Sequence, residues 1–403
     1  MAVYLDYAAT TPLDEDVLKI MTPYLLQDFG NPSSQHSFGK TAANAIVRAR
    51  DYLAKILGCL SEELYFTSSG TESDNWALKG VCSALEYKGK HIIVSAIEHP
   101  ALIESAKEMQ KKGFEVTFVN AEKDGTISPE AIKNALREDT IFCAVMHANN
   151  ETGVINPIEE ISAVLKEKGV FFFCDCVQTA GYMRLPTKYV DGLSISAHKF
   201  YGPKGVGLLY LKKGSQINRL ISGGNQERGL RGGTTNTAGI IGLVAAYVKA
   251  VEHMEINNDK IRKLRDAFLN KVLAISGATL MGDKNKMLPG HANIAFEGCT
   301  GEQLVMMLDN RKVACSTGAA CSSGAVKTSH VIKAMGYDES VAKSSVRFTF
   351  GKNTSLREID SAIFMVTTSV SAAHRIYSSK EKLEELKRNF LKKATGSNDT
   401  PKN

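Results

Sequence analysis

The decapeptide Ser196-Ala197-His198-Lys199-Phe200-Tyr201-Gly202-Pro203-Lys204-Gly205 gathers residue types that can do chemistry. An apolar run, Gly192-Leu193-Ser194-Ile195, delivers Lys199 into a turn rich in glycine and proline. A lysine held in such a turn can shed its hydration and its proton and act as a nucleophilic amine. That is what a Schiff base with a carbonyl compound requires.

Three other segments supply what such chemistry needs. Thr67-Ser68-Ser69-Gly70-Thr71-Glu72-Ser73 precedes an amphipathic run, and Ser69 and Glu72 have capping-box spacing. Taken alone it is an ordinary helix cap. Taken with Lys199 and Ser196 it reads as a phosphate cradle at a helix N-terminus, with Gly70 letting the backbone approach the anion. Asp175 closes the apolar Phe171-Phe172-Phe173 run, either as a turn residue or as a carboxylate partner for a ring nitrogen. His99 is either a satisfied core histidine or a group that stacks on a ring and moves protons, and Gln178 can donate to a phenolic oxygen. Together these features fit pyridoxal 5'-phosphate as the cofactor.

The elements that would position these residues are legible as alternating strands and helices. Apolar runs at His91–Ser95, Glu115–Val119, Thr140–Val145, Gly169–Phe173 and Gly205–Tyr210 alternate with helix-length segments such as Pro100–Lys112 and Pro157–Lys168. Continuous apolar strands imply a sheet covered on both faces, an α/β arrangement. Several runs lead into chemically capable residues: Glu98-His99, His147 to Glu151, Asp175 and Gln178, and His198-Lys199. Ligands of open α/β sheets bind at the carboxyl ends of strands, so these residues predict one shared site. A long helical pattern from Thr237 to about Leu273 is expected to join two domains. Strand-like Ala292–Phe296 and Ser345–Phe350 then mark a smaller α+β unit, followed by helices over Glu358–Tyr377 and Lys380–Lys393 and a disordered end from Gly396.

Bulk properties narrow the class. The 403 residues are 43% apolar and 23% charged, a soluble globular composition too long for one ordinary core. No apolar run approaches a membrane span, and the start of the chain lacks a basic, apolar leader, so a cytoplasmic location is expected. The net charge of +6 carries no basic stripe interleaved with aromatics, which argues against direct nucleic-acid binding. The eight cysteines show no CxxC pair or disulfide framework. Cys59, Cys82, Cys143 and Cys299 read as buried apolar residues, and Cys174-x-Cys176 lacks a second pair to make a metal site.

The chain resembles the cysteine desulfurases of the NifS/IscS type, in the class V aminotransferase group of fold-type I enzymes. Matching motifs run through Tyr4–Pro12, Gly30–Ser34, Thr71–Asn75, Glu98–Ala101, Asn149–Gly153, Asp175–Gln178, Ser196–Lys199, Arg231–Thr234, Ser316–Cys321 and Val346–Phe348. The resemblance implies a mostly parallel seven-stranded sheet sandwiched by helices, plus the smaller domain. It places the large domain at 16–258 and the small one at 1–15 and 259–393, the latter carrying a catalytic loop at about 315–328, with a disordered tail at 394–403. It also implies that Lys199 links the cofactor, that His99 stacks on the ring, and that Asp175 and Gln178 contact the ring nitrogen and oxygen. Gly70, Thr71, Ser196 and His198 would hold the phosphate, with Thr234 reaching in from the second subunit of a homodimer. Asn150 and Arg347 would bind the substrate, Arg347 by its carboxylate.

Cys321 separates this family from other enzymes of the fold. It lies in a stretch of small residues, Cys315–Gly324, without core periodicity, which predicts a mobile loop able to carry a thiol to the cofactor and outward. By resemblance the Cys321 thiolate takes sulfur from L-cysteine, leaving L-alanine and a persulfide. The sulfur then passes to an iron–sulfur scaffold or to acceptors for tRNA thiolation. A transient contact of Cys321 with an iron–sulfur cluster is implied, with no resident metal. The pattern matches the group with an extended catalytic loop. The alternatives are a selenocysteine lyase, a class V aminotransferase, which has no need of Cys321, and a cluster-assembly partner without turnover. Cys174 and Cys176 around Asp175, Gly232 near the phosphate and Cys315 depart from the family pattern. The flanking thiols are expected to point away from the Asp175 face, and Cys315 is a candidate relay for persulfide sulfur.

Overall fold

The computed structural model describes residues 2–318 and 328–394, with side chains up to residue 376. Cys321, and with it most of the expected 315–328 loop, lies outside the described residues, as does the chain end after residue 394. Twelve strands occur among the described residues: β1 (Val3–Tyr4), β2 (Leu64–Thr67), β3 (His91–Ser95), β4 (Glu115–Val119), β5 (Thr140–Ala144), β6 (Phe171–Asp175), β7 (Gly192–Ser196), β8 (Gly207–Leu211), β9 (Ala278–Leu280), β10 (His291–Phe296), β11 (Val313–Ala314) and β12 (Ser345–Thr349). The α-helices among them are α1 (Glu15–Leu26), α2 (Ser37–Leu57), α3 (Gly70–Leu85), α4 (Pro100–Lys111), α5 (Pro129–Ala135), α6 (Ile158–Lys166), α7 (Thr237–Glu252), α8 (Met254–Val272), α9 (Gly301–Asn310), α10 (His330–Ala334), α11 (Glu339–Ser344) and α12 (Leu356–Ala394).

Seven strands form the main sheet in the order β2-β8-β7-β6-β5-β3-β4. The pairs from β7 through β6, β5 and β3 to β4 are parallel, while β8 runs antiparallel to both β7 and β2. Every residue of β3, β5, β6, β7 and β8 is buried, as their continuous apolar character required. One face packs on a core containing Ile93, Cys143, Phe172 and Leu208, which reaches α2 and α7 through Leu53 and Leu243. The other face packs on α3 and α4 through Trp76, Val81, Leu102 and Met109.

A second core forms around β10 and β12 with α8 and α12, from Ile261, Phe268, Ile294, Val346, Phe348, Ile359 and Val366, and it includes Val3 and Leu5. There, β9, β10 and β12 form a three-stranded antiparallel sheet, and β1 pairs in parallel with β11. Segment 3–11 therefore belongs to the smaller core at its start and to the larger sheet at its end.

Two helical expectations differ in detail. The pattern from Thr237 to Leu273 is two helices, α7 and α8, broken at His253, whose φ of −107° and ψ of 11° leave the helical region. The two helices expected near the end are one, α12, because Tyr377 to Lys380 holds neither glycine nor proline to stop it.

Candidate active site

The parallel strands deliver their polar ends to one region. β7 passes into a single 3-10 turn, Ala197–Lys199, and the chain reverses through Tyr201, whose φ is +67°. A bulky residue in the left-handed region is strained and persists only where its surroundings hold it. Here the Tyr201 N–H donates to Thr11 Oγ1 at 2.8 Å, and its hydroxyl accepts from the Lys352 N–H at 2.8 Å. Thr11 in turn donates its N–H and its hydroxyl to His198 O, each at 3.0 Å. The lysine turn is thus laced to segment 6–11, and Lys199 Nζ donates to Ala8 O at 2.6 Å and Ala9 O at 2.9 Å. Gln178 Nε2 donates to the same Ala8 carbonyl at 3.1 Å, which brings two of the predicted site residues together.

Asp175 ends β6 and accepts from the Val177 N–H at 2.8 Å. Burial raises it to about 6, against the opposite pull of that N–H and of Lys199. Behind it, buried Asp74 of α3 accepts from Ser194 Oγ at 2.5 Å, and burial together with the Asp175 charge holds Asp74 well above the usual carboxylate range. Like charges in a buried site oppose each other's ionisation, and the larger upward shift falls on Asp74. A protonated ring nitrogen would be a fitting partner for such a buried carboxylate. Cys174 and Cys176 share the opposite face, as expected, their sulfurs 3.7 Å apart in the sheet core. Burial pushes Cys176 upward, but the Cys174 thiol and His147 bring it to about 7. Among the described residues no cluster of His, Cys, Asp and Glu could hold a metal ion.

His99 caps α4, its Nδ1 accepting from the Ala101 N–H at 3.1 Å, which leaves the ring proton on Nε2. Burial, with Lys199 and His330, pushes it down to about 4, so the ring is neutral at physiological pH. His198 is held at about 4 by burial and by Lys199 and Lys204, with its Nδ1 3.1 Å from Thr10 Oγ1.

The α3 N-terminus begins at Gly70, with Ser69 Oγ accepting from the Glu72 N–H at 3.1 Å. The capping box is incomplete. The Glu72 carboxylate turns to the Ser68 N–H and to Arg231 instead of the Ser69 N–H. Gly70 is packed so closely that a Cβ there would sit 2.6 Å from Val177 and 3.6 Å from the Ser196 Cβ, so Gly70 and Ser196 form one cradle beside Asp175. Free helical N–H groups, a nearby lysine, a neutral imidazole and a buried carboxylate form a donor set that fits pyridoxal phosphate. Thr234 is exposed, three residues beyond Arg231, which binds Glu72.

Arg347 on β12 is buried, donating to Asn150 O at 2.9 Å and to Asp6 Oδ1 at 2.9 Å. Both predicted substrate residues therefore meet at the seam between the two cores. The stems of the segment carrying Cys321 are also fixed there. Ser316 Oγ donates to Asp6 Oδ2 at 2.8 Å, Ser329 Oγ donates to buried Glu151, and Gly318 lies so close to the Glu151 carboxylate that a Cβ there would displace it. Burial, aided by Asp6, pushes the Cys315 thiol to about 12, which withholds the thiolate that a sulfur relay needs.

Glu151 falls in the His147 to Glu151 run expected at the site, whereas Asp6, Asp74, His291 and Asn293 are not singled out by the sequence. Asp6 and Asp74 lie inside motifs of the family pattern. His291 and Asn293 carried no signal beyond ordinary strand alternation.

A model of the class-V aminotransferase family matches residues 3–361. The cysteine desulfurase IscS of Dictyoglomus turgidum is 46% identical over 89% of this chain and 92% of that relative. The IscS of Methanosarcina thermophila is 42% identical over 91% of each. Among solved structures, a NifS-like protein superposes with a TM-score of 0.87 at 36% identity, over 92% of this chain and 100% of the other. The chain belongs to the class-V aminotransferase family, and within it to the cysteine desulfurases of the NifS/IscS type. Its fold is the α/β architecture of that group.

Proposed function

We propose that this protein is a pyridoxal-phosphate-dependent cysteine desulfurase that converts L-cysteine to L-alanine and leaves the sulfur on Cys321 as a persulfide. The observation that carries the reading is the convergence of Lys199, Asp175, Gln178 and His99 at the carboxyl end of one sheet, beside the open N-terminus of α3. Lys199 would bind the cofactor, Asp175 and Gln178 would contact its ring, and Gly70, Thr71, Ser196 and His198 would hold its phosphate. When bound, pyridoxal phosphate supplies an electron sink for bonds at the amino acid's carbons. His99, neutral and with its proton on Nε2, is suited to shield one ring face and to pass a proton at that nitrogen. Arg347 orients the substrate carboxylate, its guanidinium already fixed by Asn150 O and Asp6. The Cys321 thiolate attacks the substrate sulfur, and an S–S bond forms as the C–S bond breaks.

The proposal extends to a homodimer in which Thr234 serves the neighbouring subunit's phosphate site. It also extends to two working units, residues 16–258 and residues 1–15 with 259–393, to protein acceptors of sulfur for iron–sulfur clusters or tRNA thiolation, and to a cytoplasmic setting. Among the described residues no helix is long and apolar enough to cross a membrane. The test is release of alanine and sulfide from L-cysteine with a thiol reductant. Equal amounts from the wild type, and neither from Cys321→Ala, support the reading. Alanine production that survives in Cys321→Ala overturns the persulfide route.

A further inference from the structure

His291 opens β10 and is buried, yet among the described residues neither of its ring nitrogens has a hydrogen-bond partner. It lines a small cavity of about 10 Å³ together with Lys199, Gln178, Ala8 and Thr349. It is not an isolated defect. In the β10–β12 register His291 faces Thr349 and Asn293 faces Arg347, so the four side chains share one face of the small sheet. Thr349 Oγ1 accepts from the Ala8 N–H at 2.9 Å, and Ala8 O accepts from Lys199. Asn293 Nδ2 donates to Glu151 O at 3.2 Å, while Asn293 Oδ1 and Arg347 Nε have no partner among the described residues. This face therefore holds several unmet polar atoms, and those of His291 border the cavity that Lys199 also lines. Buried polar atoms without partners are unfavourable, and their concentration beside a reactive lysine calls for a ligand group that meets them.

The ring is held in place by close packing. Gly153, with φ +78°, lies so near that a Cβ there would sit 2.4 Å from the His291 Cβ. Burial, with Arg347, Arg265 and Lys199, pushes His291 down to about 3, which keeps it neutral: one N–H donor and one bare nitrogen acceptor. So weak a base does not take a proton from an amine, but its bare nitrogen accepts a hydrogen bond from one.

We propose that His291 is a positioning residue for amine exchange at Lys199, its bare ring nitrogen accepting a hydrogen bond from the amino group that enters or leaves the place of Nζ. The proposal rests on Lys199 being the amine that links a carbonyl cofactor. In that exchange the entering amine bonds to the carbon that Nζ releases, and the two protons lost by the entering nitrogen are the two that Nζ gains. No oxidant or reductant is involved.

Two variants test it. Apoprotein is mixed with pyridoxal phosphate and the growth of yellow absorbance is timed; the loaded protein is then mixed with L-cysteine and the first spectral change is timed. In His291→Leu both steps are expected to slow about fivefold to tenfold, the worth of one hydrogen bond. Its melting temperature should hold or rise, because two unmet polar atoms are gone. His291→Gln, which restores an amide donor and acceptor, should recover most of the rate. Unchanged rates in a folded His291→Leu overturn the proposal. So does a joint fall of rate and melting temperature that His291→Gln does not relieve. If the wild type never turns yellow, the reading of Lys199 itself has failed. If it turns yellow but yields no alanine, the desulfurase reading has failed while the two rates still decide the role of His291.

Discussion

The two sheets present their chemistry in opposite ways. In the seven-stranded sheet both faces are apolar and the polar groups of the candidate site sit at or past the strand ends, at Glu98-His99, Asp175 and His198-Lys199. In the three-stranded sheet the polar groups lie on a face. Val346, Phe348 and Phe350 point into the small core, while His291, Asn293, Arg347 and Thr349 form the other side. That polar side is not solvated: Asn293 is 0% exposed, Thr349 1%, and His291 and Arg347 6% each. It closes against Asp6, Ala8, Asn150 and Glu151. The difference teaches that a strand alternating polar and apolar residues need not have a wet face. Its polar row can be the inner wall of a site.

The largest expected effect tests the apolar side of that strand. Phe348→Ala should cost about 3–5 kcal/mol in denaturant unfolding, because it empties a site packed against Phe268. The turnover of the molecules that remain folded should be preserved. If turnover per folded molecule falls as steeply as stability, the two sides of β12 are not separable. At the strand end, Asp175→Ala should lower alanine production by about 10²–10³ with little change in melting temperature, as for the loss of a fixed charge at a reacting group. On the polar face, Arg347→Lys should raise KM for L-cysteine more than it lowers kcat, by about tenfold in kcat/KM, since a point charge replaces a planar fork.

A smaller effect concerns pH. Burial raises Glu98 to about 8, although Ser95 Oγ and the Met146 N–H donate to it. Its folded-state pKa lies above its unfolded one, so the native state holds the proton more tightly. Its contribution is complete below about 4.5 and is lost as pH rises towards 8. Melting temperatures measured from pH 5 to 9 should therefore decline less in Glu98→Gln than in the wild type; parallel curves would show that Glu98 stays ionised when buried. The smallest effect is predicted for Cys315→Ser, whose thiol is buried and held near 12. Alanine release and persulfide formation should stay within about twofold of the wild type.

The comparison also explains what could be read from the chain. The sheet, the lysine turn and the place of Asp175 at the end of β6 were legible because apolar runs that stop abruptly at a charged residue are rare, and each stop marked a strand end. Arg347 was placed by family likeness. His291 and Asn293 were not legible, because His291-Ala292-Asn293-Ile294 has the alternation of any half-exposed strand. Only tertiary packing reveals that segment 6–9 and the Asn149–Glu151 turn cover its polar side. The join of the two terminal helices and the break at His253 were missed for a local reason: propensity marks where helices are favourable, not where the chain bends.

The lacing of residues 3–11 has a consequence for how the protein is born. This segment leaves the ribosome before all of its partners, which are His198, Lys199, Lys312, Ala314, Arg347 and Thr349. At about 5–20 residues per second of synthesis, it waits on the order of half a minute before Arg347 and Thr349 exist. Lys199 therefore gains its final surroundings only after Thr349 has been made, and a shorter nascent chain should be unable to capture the cofactor.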